Sequence, residues 1–264
     1  MTYETFFLNI IGMEGVVRKT HGYKFKKPDV ESLRKLARRL TDLEHIRKRY
    51  GFLLRIVKAD VDEGLLNTLI QFYDPRYQCF TFSDYQLVPT LEEYSFWVGK
   101  PVLDEVPFHG LEVAPKIPDI VAAFHLESSE VKAHLATKGG LQCLPYNFLY
   151  QKATDFADSF DANDFETILT LIIYGIVLLP NVDRFVDMNV IRIFLTQNHV
   201  PTLLADTYFT IHDRTIKARG TILCCTHLLN IWITSHLPRP ELRPVYRPWS
   251  EKIMTLTPNG VTRS

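Results

Sequence analysis

The sequence predicts a mainly α, compact multi-helix domain carrying one small β-hairpin near residues 77–88. Three observations predict it. Apolar residues recur at spacings of three and four, beginning with Leu33, Leu36, Leu40, Leu43 and Ile46, which places them on one face of a helix. Helix signals punctuate such stretches, above all the capping box Thr90-Leu91-Glu92-Glu93, where the Thr90 hydroxyl and the Glu93 side chain each satisfy the other's backbone amide. Finally, Ile168 to Leu179 is an apolar run bounded by Glu166 and Pro180 and interrupted by Thr170 and Gly175. A membrane span needs about 18 or more such residues, so this run is expected to be a buried core helix.

The elements follow in order. After the amphipathic basic helix through Leu33–Ile46, Asp62 caps a helix carrying Leu65, Leu66, Leu69 and Ile70 that stops at Asp74-Pro75. Aromatic and branched residues in Tyr77–Phe82 and Tyr85–Val88, separated by Ser83-Asp84, are expected to pair as the hairpin. The helix opened by Thr90 runs to Val98 and stops at Gly99, with Pro101 beyond. Leu103–Pro118 holds Pro107, Pro115 and Pro118 without helical periodicity and reads as a seam. Helices are expected at Asp119–Leu126, at Ser129–Thr137 (closed by Gly139) and at Tyr146–Asp158. Asn163 is expected to open the buried helix and Asp187 to cap the next; Pro201–Lys217, stopped by Gly220, and Ile222–Leu237 follow. The prolines at 238, 240, 244 and 248 predict an extended tail.

Composition bounds the rest. A chain of 264 residues, 46% apolar, can bury a sizeable core. We divide it into an N-terminal extension (1–28), a helical domain (29–257, with a subregion seam at 103–118) and a C-terminal tail (258–264). Cys79, Cys143, Cys224 and Cys225 form no CxxC pair and no dense framework, which implies a reducing, intracellular setting. The first eleven residues carry Glu4 and lack a basic leader and a cleavage site, so no signal peptide is read.

The formal charge is zero but uneven. Arg18–Lys58 holds fourteen Lys and Arg against four Asp and Glu, a local +10 balanced by −10 elsewhere. Within it Lys24, Lys26, Lys27, Arg34, Lys35, Arg38, Arg39, Arg47, Lys48 and Arg49 are interleaved with Tyr23, Phe25 and Tyr50. Such a stripe either contacts nucleic-acid phosphates or docks on the acidic remainder of the molecule.

No complete catalytic, cofactor or metal site is expected. Cys224 and His227 lie three apart on one helix and His212 precedes them, yet a zinc site needs a fourth ligand and a second recognisable pair. Buried core cysteine with a hydrogen-bonded histidine is the simpler reading. A nucleophile elbow is absent, and Gly12–Gly15 and Lys138-Gly139-Gly140 match no phosphate-binding loop. Asp155, Asp158, Asp161 and Asp164 lack the glycine and glutamate of a calcium loop. Asp206 and Asp213, seven apart on a helix, stand about 10 Å apart along its axis, too far for a two-metal nuclease pair. Asp187, beside Asp183, is already a cap.

The run Phe80–Tyr94, including Tyr85-Gln86-Leu87-Val88-Pro89-Thr90-Leu91-Glu92-Glu93, and its close at Val98-Gly99-Lys100-Pro101-Val102 resemble the hallmark of plant mobile domain proteins. Asp62–Pro75, Ile173–Asp187, Pro201–Asp206 and Gly220–Cys225 resemble an uncharacterised legume-expanded branch, so the resemblance covers the chain from about Leu33 onward. It implies a helical domain of transposable elements and host genes derived from them, some with nuclear roles. The implied function is a transposon-derived, non-enzymatic interaction domain with a protein partner and a nuclear location; the alternative is nucleic-acid binding through residues 18–58. The family is sometimes labelled aminotransferase-like, yet no lysine here sits in a Schiff-base and phosphate-anchor context, and no cofactor is expected. The relatives continue past Pro248–Pro258, which implies a truncated copy.

Overall fold

The computed structural model describes residues 21–82, 85–103 and 114–236. The first twenty residues of the expected extension, most of the 103–118 seam and the tail beyond His236 lie outside them. The architecture is mainly α. Strand β1 (Lys24–Phe25) precedes helices α1 (Val30–Ala37), α2 (Leu43–Tyr50), α3 (Leu53–Lys58) and α4 (Glu63–Gln71). A meander of β2 (Tyr73–Asp74), β3 (Cys79–Thr81) and β4 (Gln86–Leu87) leads into α5 (Leu91–Val98). Then come α6 (Ile117–Phe124), α7 (Ser128–His134), β5 (Ala136–Lys138), β6 (Leu141–Pro145), α8 (Tyr146–Asp158) and α9 (Ala162–Ile173). Helix α9 continues as one π-helical stretch, Tyr174–Leu178; β7 (Phe185–Asp187), α10 (Met188–Thr196), α11 (Val200–Lys217), β8 (Thr221–Ile222) and α12 (Thr226–His236) complete the order.

Side-chain caps explain half of the twelve helix starts among the described residues. Asp29, Asp42, Asp62, Asp161 and Asp187 each accept a first-turn backbone amide, which answers donors that helix geometry leaves unpaired. Thr90 and Glu93 form the expected capping box, and Gly99 closes α5 in the left-handed conformation. The strand pairing expected near 77–88 is present as β3 against β4, with Tyr73–Asp74 added as a third strand.

Four expectations are corrected. The single helix through Leu33–Ile46 is two: α1 ends where the Arg38 amide turns back to Lys35 and Leu36, and Asp42 starts α2 afresh. Leu43 consequently stands 53% exposed. The helix expected to reach Thr137 stops at His134, and Ala136–Lys138 pairs with Leu141–Cys143 around Gly139 and Gly140, both at positive φ. Periodicity does not separate a helix end from a short strand, and the glycine pair fits a hairpin turn better than a helix stop. Asp161, rather than Asn163, caps α9. The helix expected from Ile222 starts at Thr226, because Thr221–Ile222 pairs in parallel with β1.

The core is centred on α9 and its π continuation, in which Asp164 through Pro180 are all buried. Helix α8 packs along it as a hairpin partner, and α1, α3 and α6 add further sides. Phe194 sits against Tyr50, Phe124 and Tyr174 with ring centroids 5.9, 5.4 and 5.1 Å away. The lack of a side chain at Gly175 lets β7 approach, since a Cβ there would fall 2.5 Å from Val186 Cγ2. The Leu179 amide reaches back to the Tyr174 carbonyl at 2.9 Å, closing the wider π turn. No helix among the described residues is long and apolar enough to cross a membrane.

Candidate interaction groove

The first residues described form a strap that lies in a groove of the helical body. Strand alternation points Tyr23 and Phe25 inward, 7% and 8% exposed, and Lys24 outward. The Lys26 amide donates to the Ile222 carbonyl at 3.0 Å and the Lys24 amide to Gly220 at 3.5 Å, so the strap adds to β8 as a parallel strand. At one end the Gln71 side chain of α4 holds both backbone groups of His21: it accepts from the amide at 3.1 Å and donates to the carbonyl at 2.8 Å. At the other end Lys26 pairs with Asp183 and Lys27 with Glu63.

Two clefts flank Lys26-Lys27-Pro28. One, about 240 Å³, lies toward Tyr146, Gly175, Asp183 and Arg184; the other, about 200 Å³, lies toward Arg34, Asp60, Glu63 and His227. His227 is 4% exposed and its Nδ1 has no hydrogen-bond partner. Burial, with the Arg34 charge nearby, pulls its imidazole down to about 4, so the ring is neutral near pH 7.

The ten basic candidates do not form one continuous free stripe. Arg34 donates to the Val57 and Ala59 carbonyls at 3.0 and 3.2 Å, satisfying the C-terminal end of α3. Arg39 pairs with Asp158, Arg49 donates to Asn163 Oδ1 at 2.8 Å, and Arg47 lies 3.5 Å from Glu44. With Lys26 and Lys27 in the strap clasps, six of the ten serve internal contacts. Lys24, Lys35, Arg38 and Lys48 are exposed, and no ion pair involves them among the described residues.

The other candidate groups are held structurally. His212 meets the Tyr73 hydroxyl at 3.4 Å, and no three His, Cys, Asp or Glu side chains among the described residues converge on a metal-sized site. Cys225 is buried with its thiol pushed up to about 12, chiefly by burial, while the His227 and Leu228 amides point at its sulfur. Cys224 is raised well above the ordinary thiol value, first by burial and then by Asp206. Both thiols are therefore held away from the thiolate that nucleophiles and metal ligands require. Asp213 pairs with Lys217, Asp158 with Arg39, and Asp161 and Asp187 are caps.

Some organising residues were not singled out as such in the sequence. Glu93 accepts from Trp232 Nε1 at 3.0 Å and meets His236 Nε2 at 2.7 Å besides completing its capping box, so one carboxylate ties the start of α5 to the end of α12. The four-residue spacing of Trp232 and His236 marks a shared helix face; nothing in the sequence marks Glu93 as their target. The same holds for His45 with Glu166 and His125 with Asp164.

Residues 33–263 match the model of a protein family described as a domain of unknown function (DUF7745), and the chain belongs to that family. No curated protein and no solved structure matches it.

Proposed function

We propose that this chain is a non-enzymatic interaction domain that binds a protein partner, of transposon origin and nuclear location as the plant mobile domain resemblance implies. The observation that carries the reading is the strap. Its residues, 21–28, precede the family-matched span, yet they are bound by the domain as a ligand would be, through strand addition, two inward aromatics and two ion pairs. The thiols of Cys224 and Cys225 and the ring of His227 support the same reading: burial pushes each toward its neutral form, which suits packing better than nucleophilic catalysis. Affinity purification of the full chain from plant nuclei tests it. A reproducible partner above background is expected, and its absence at native expression sinks the proposal.

A second reading, nucleic-acid binding, is favoured by the four exposed basic residues left outside the internal contacts. It predicts an affinity that falls with salt and loses about 0.7–0.9 of log–log slope for each phosphate-contacting residue removed among Lys35, Arg38 and Lys48. Binding that is insensitive to salt, or to the triple alanine variant, ends this reading. Substituting Arg34 is the wrong test, because it also uncaps α3.

A further inference from the structure

We propose that the groove beneath Tyr23–Pro28 is a peptide-docking site occupied in cis by the chain's own strap. Its partner in trans is an extended segment with aromatic residues at alternate positions, followed by two cationic residues. This deepens the interaction-domain reading and rests on it.

The strap's contacts are those of an added strand. Main-chain hydrogen bonds to Gly220 and Ile222 provide sequence-tolerant affinity, and the buried rings of Tyr23 and Phe25 supply the selectivity for alternate positions. Asp183 and Glu63, from two different parts of the body, meet successive lysines, so the groove's acidic end favours cationic residues after the aromatics. These features describe a recognition pattern that does not depend on Tyr23–Pro28 being joined to α1.

The same strap is a displaceable occupant. Its strand pairing is only two residues long. Its clasps are solvent-exposed, with the Asp183 and Lys27 side chains 72% and 70% accessible, a setting in which ion pairs hold weakly. Clefts remain open on both sides of Lys26-Lys27-Pro28, and His227 Nδ1 in one of them is left without a partner. What keeps the strap in place is burial of two rings and the Gln71 hold on His21, together with tethering. A short tether gives an effective concentration in the millimolar range, so a free peptide with a micromolar intrinsic affinity sees the groove about 1,000-fold weakened.

The test is a fluorescence-anisotropy titration of a labelled peptide of residues 20–30 against the full chain. The wild type is compared with a strap-weakened Tyr23→Ser, Phe25→Ser variant, using a scrambled peptide as control. The variant is expected to bind the strap peptide at least about tenfold more tightly than the wild type does. Adding Asp183→Lys and Glu63→Lys is expected to weaken that binding again. If the double-serine variant does not fold, Lys26→Glu, Lys27→Glu loosens the clasps with the aromatics intact and is expected to change binding in the same direction. A folded strap-weakened variant that binds the native peptide no better than the scrambled one overturns the proposal, as does equal binding by the wild type. Recovery of nuclear partners alongside such a failure would remove the groove and leave the interaction reading standing; failure of both would remove both.

Discussion

The helical body encloses carboxylates in several places, and two of these differ in what surrounds them. In the first turn of α9, Asp164 and Glu166 are 7% and 2% exposed, and each meets a histidine from another element: His125 Nδ1 at 2.6 Å and His45 Nδ1 at 2.7 Å. The positive end of the helix dipole adds to that support. Midway along α11, Asp206 lies against the buried thiols of Cys224 and Cys225, and its Oδ2 has no hydrogen-bond partner. Burial alone pushes its carboxyl up to about 7. Asp206 is only half-buried as a residue, although its Oδ2 is enclosed, so the two regions differ most in the company each carboxylate keeps. A buried acid with a cationic or hydrogen-bonding neighbour binds elements together, whereas one without becomes a strain that grows with pH.

The largest effect that would break this comparison is at Asp206. Its folded pKa, about 7, lies above the value of 3.8 for an unperturbed side chain, so the stability it contributes is fully present below about pH 4 and is lost as pH rises through 7. The loss reaches about 4 kcal/mol well above pH 7, since every tenfold difference in proton affinity between folded and unfolded chain is worth about 1.4 kcal/mol. Asp206→Asn should therefore raise the melting temperature at pH 8.5 by roughly 8–15 °C, at about 2–4 °C per kcal/mol, and by less than half as much at pH 5, where only about 1.7 kcal/mol of the loss has accrued. An equal change at both pH values would assign the effect to packing and remove the contrast.

Buried imidazoles sharpen it from the acid side. His199 is fully buried against the Tyr174 hydroxyl, which it meets at 2.8 Å, and burial pulls it down to about 4, as it does His227. Folded values below the unperturbed 6.5 mean that their stability is present above pH 6.5 and is lost as pH falls toward 4, by up to about 3 kcal/mol each. Over that interval Asp206 moves the other way and offsets part of the loss. In the Asp206→Asn background the decline between pH 6.5 and 4.5, followed by chemical denaturation, should be steeper than in the wild type. His227→Gln should flatten it. An acid limb unchanged by either substitution contradicts this account.

How much of this was legible in the sequence follows from the range of each interaction. Caps at Asp62, Thr90 and Asp187 were readable because a cap and the amide it satisfies lie within three residues of each other. The burial of Ile168–Leu179 was readable because so long an apolar run has nowhere else to go. The break at Arg38–Asp42 was hidden by apolar spacing that continues across it, and the strand at Ala136–Lys138 by an adjoining helix signal. The strap reads in the sequence as basic charge interleaved with aromatics, with docking on the acidic remainder as one of two alternatives. Its meaning depends on Asp183, Glu63, Gly220 and Ile222, which the fold brings together from distant parts of the chain. In the same way the sequence shows Arg34 as one member of the basic stripe and does not show the two carbonyls that α3 places in front of it.

The smallest effect tests the well-supported side of the comparison. His45 is half exposed and Glu166 buried, with side chains 49% and 3% accessible, so water screens the pair from one side only. Removing the histidine lets solvent reach the carboxylate instead of stranding it, and this limits the cost. A double-mutant cycle of His45→Ala and Glu166→Gln, measured by denaturant unfolding at pH 6, should give a coupling of about 0.5–1 kcal/mol. His125→Ala with Asp164→Asn should give a similar value, since His125 is as open to solvent and Asp164 as buried. The singles should cost less than the several kcal/mol that follow when a wholly buried pair loses one partner. A coupling near zero at both sites would mean that the helix N-terminus alone supports these carboxylates. The difference from Asp206 would then come from position along a helix, and histidine would have no part in it.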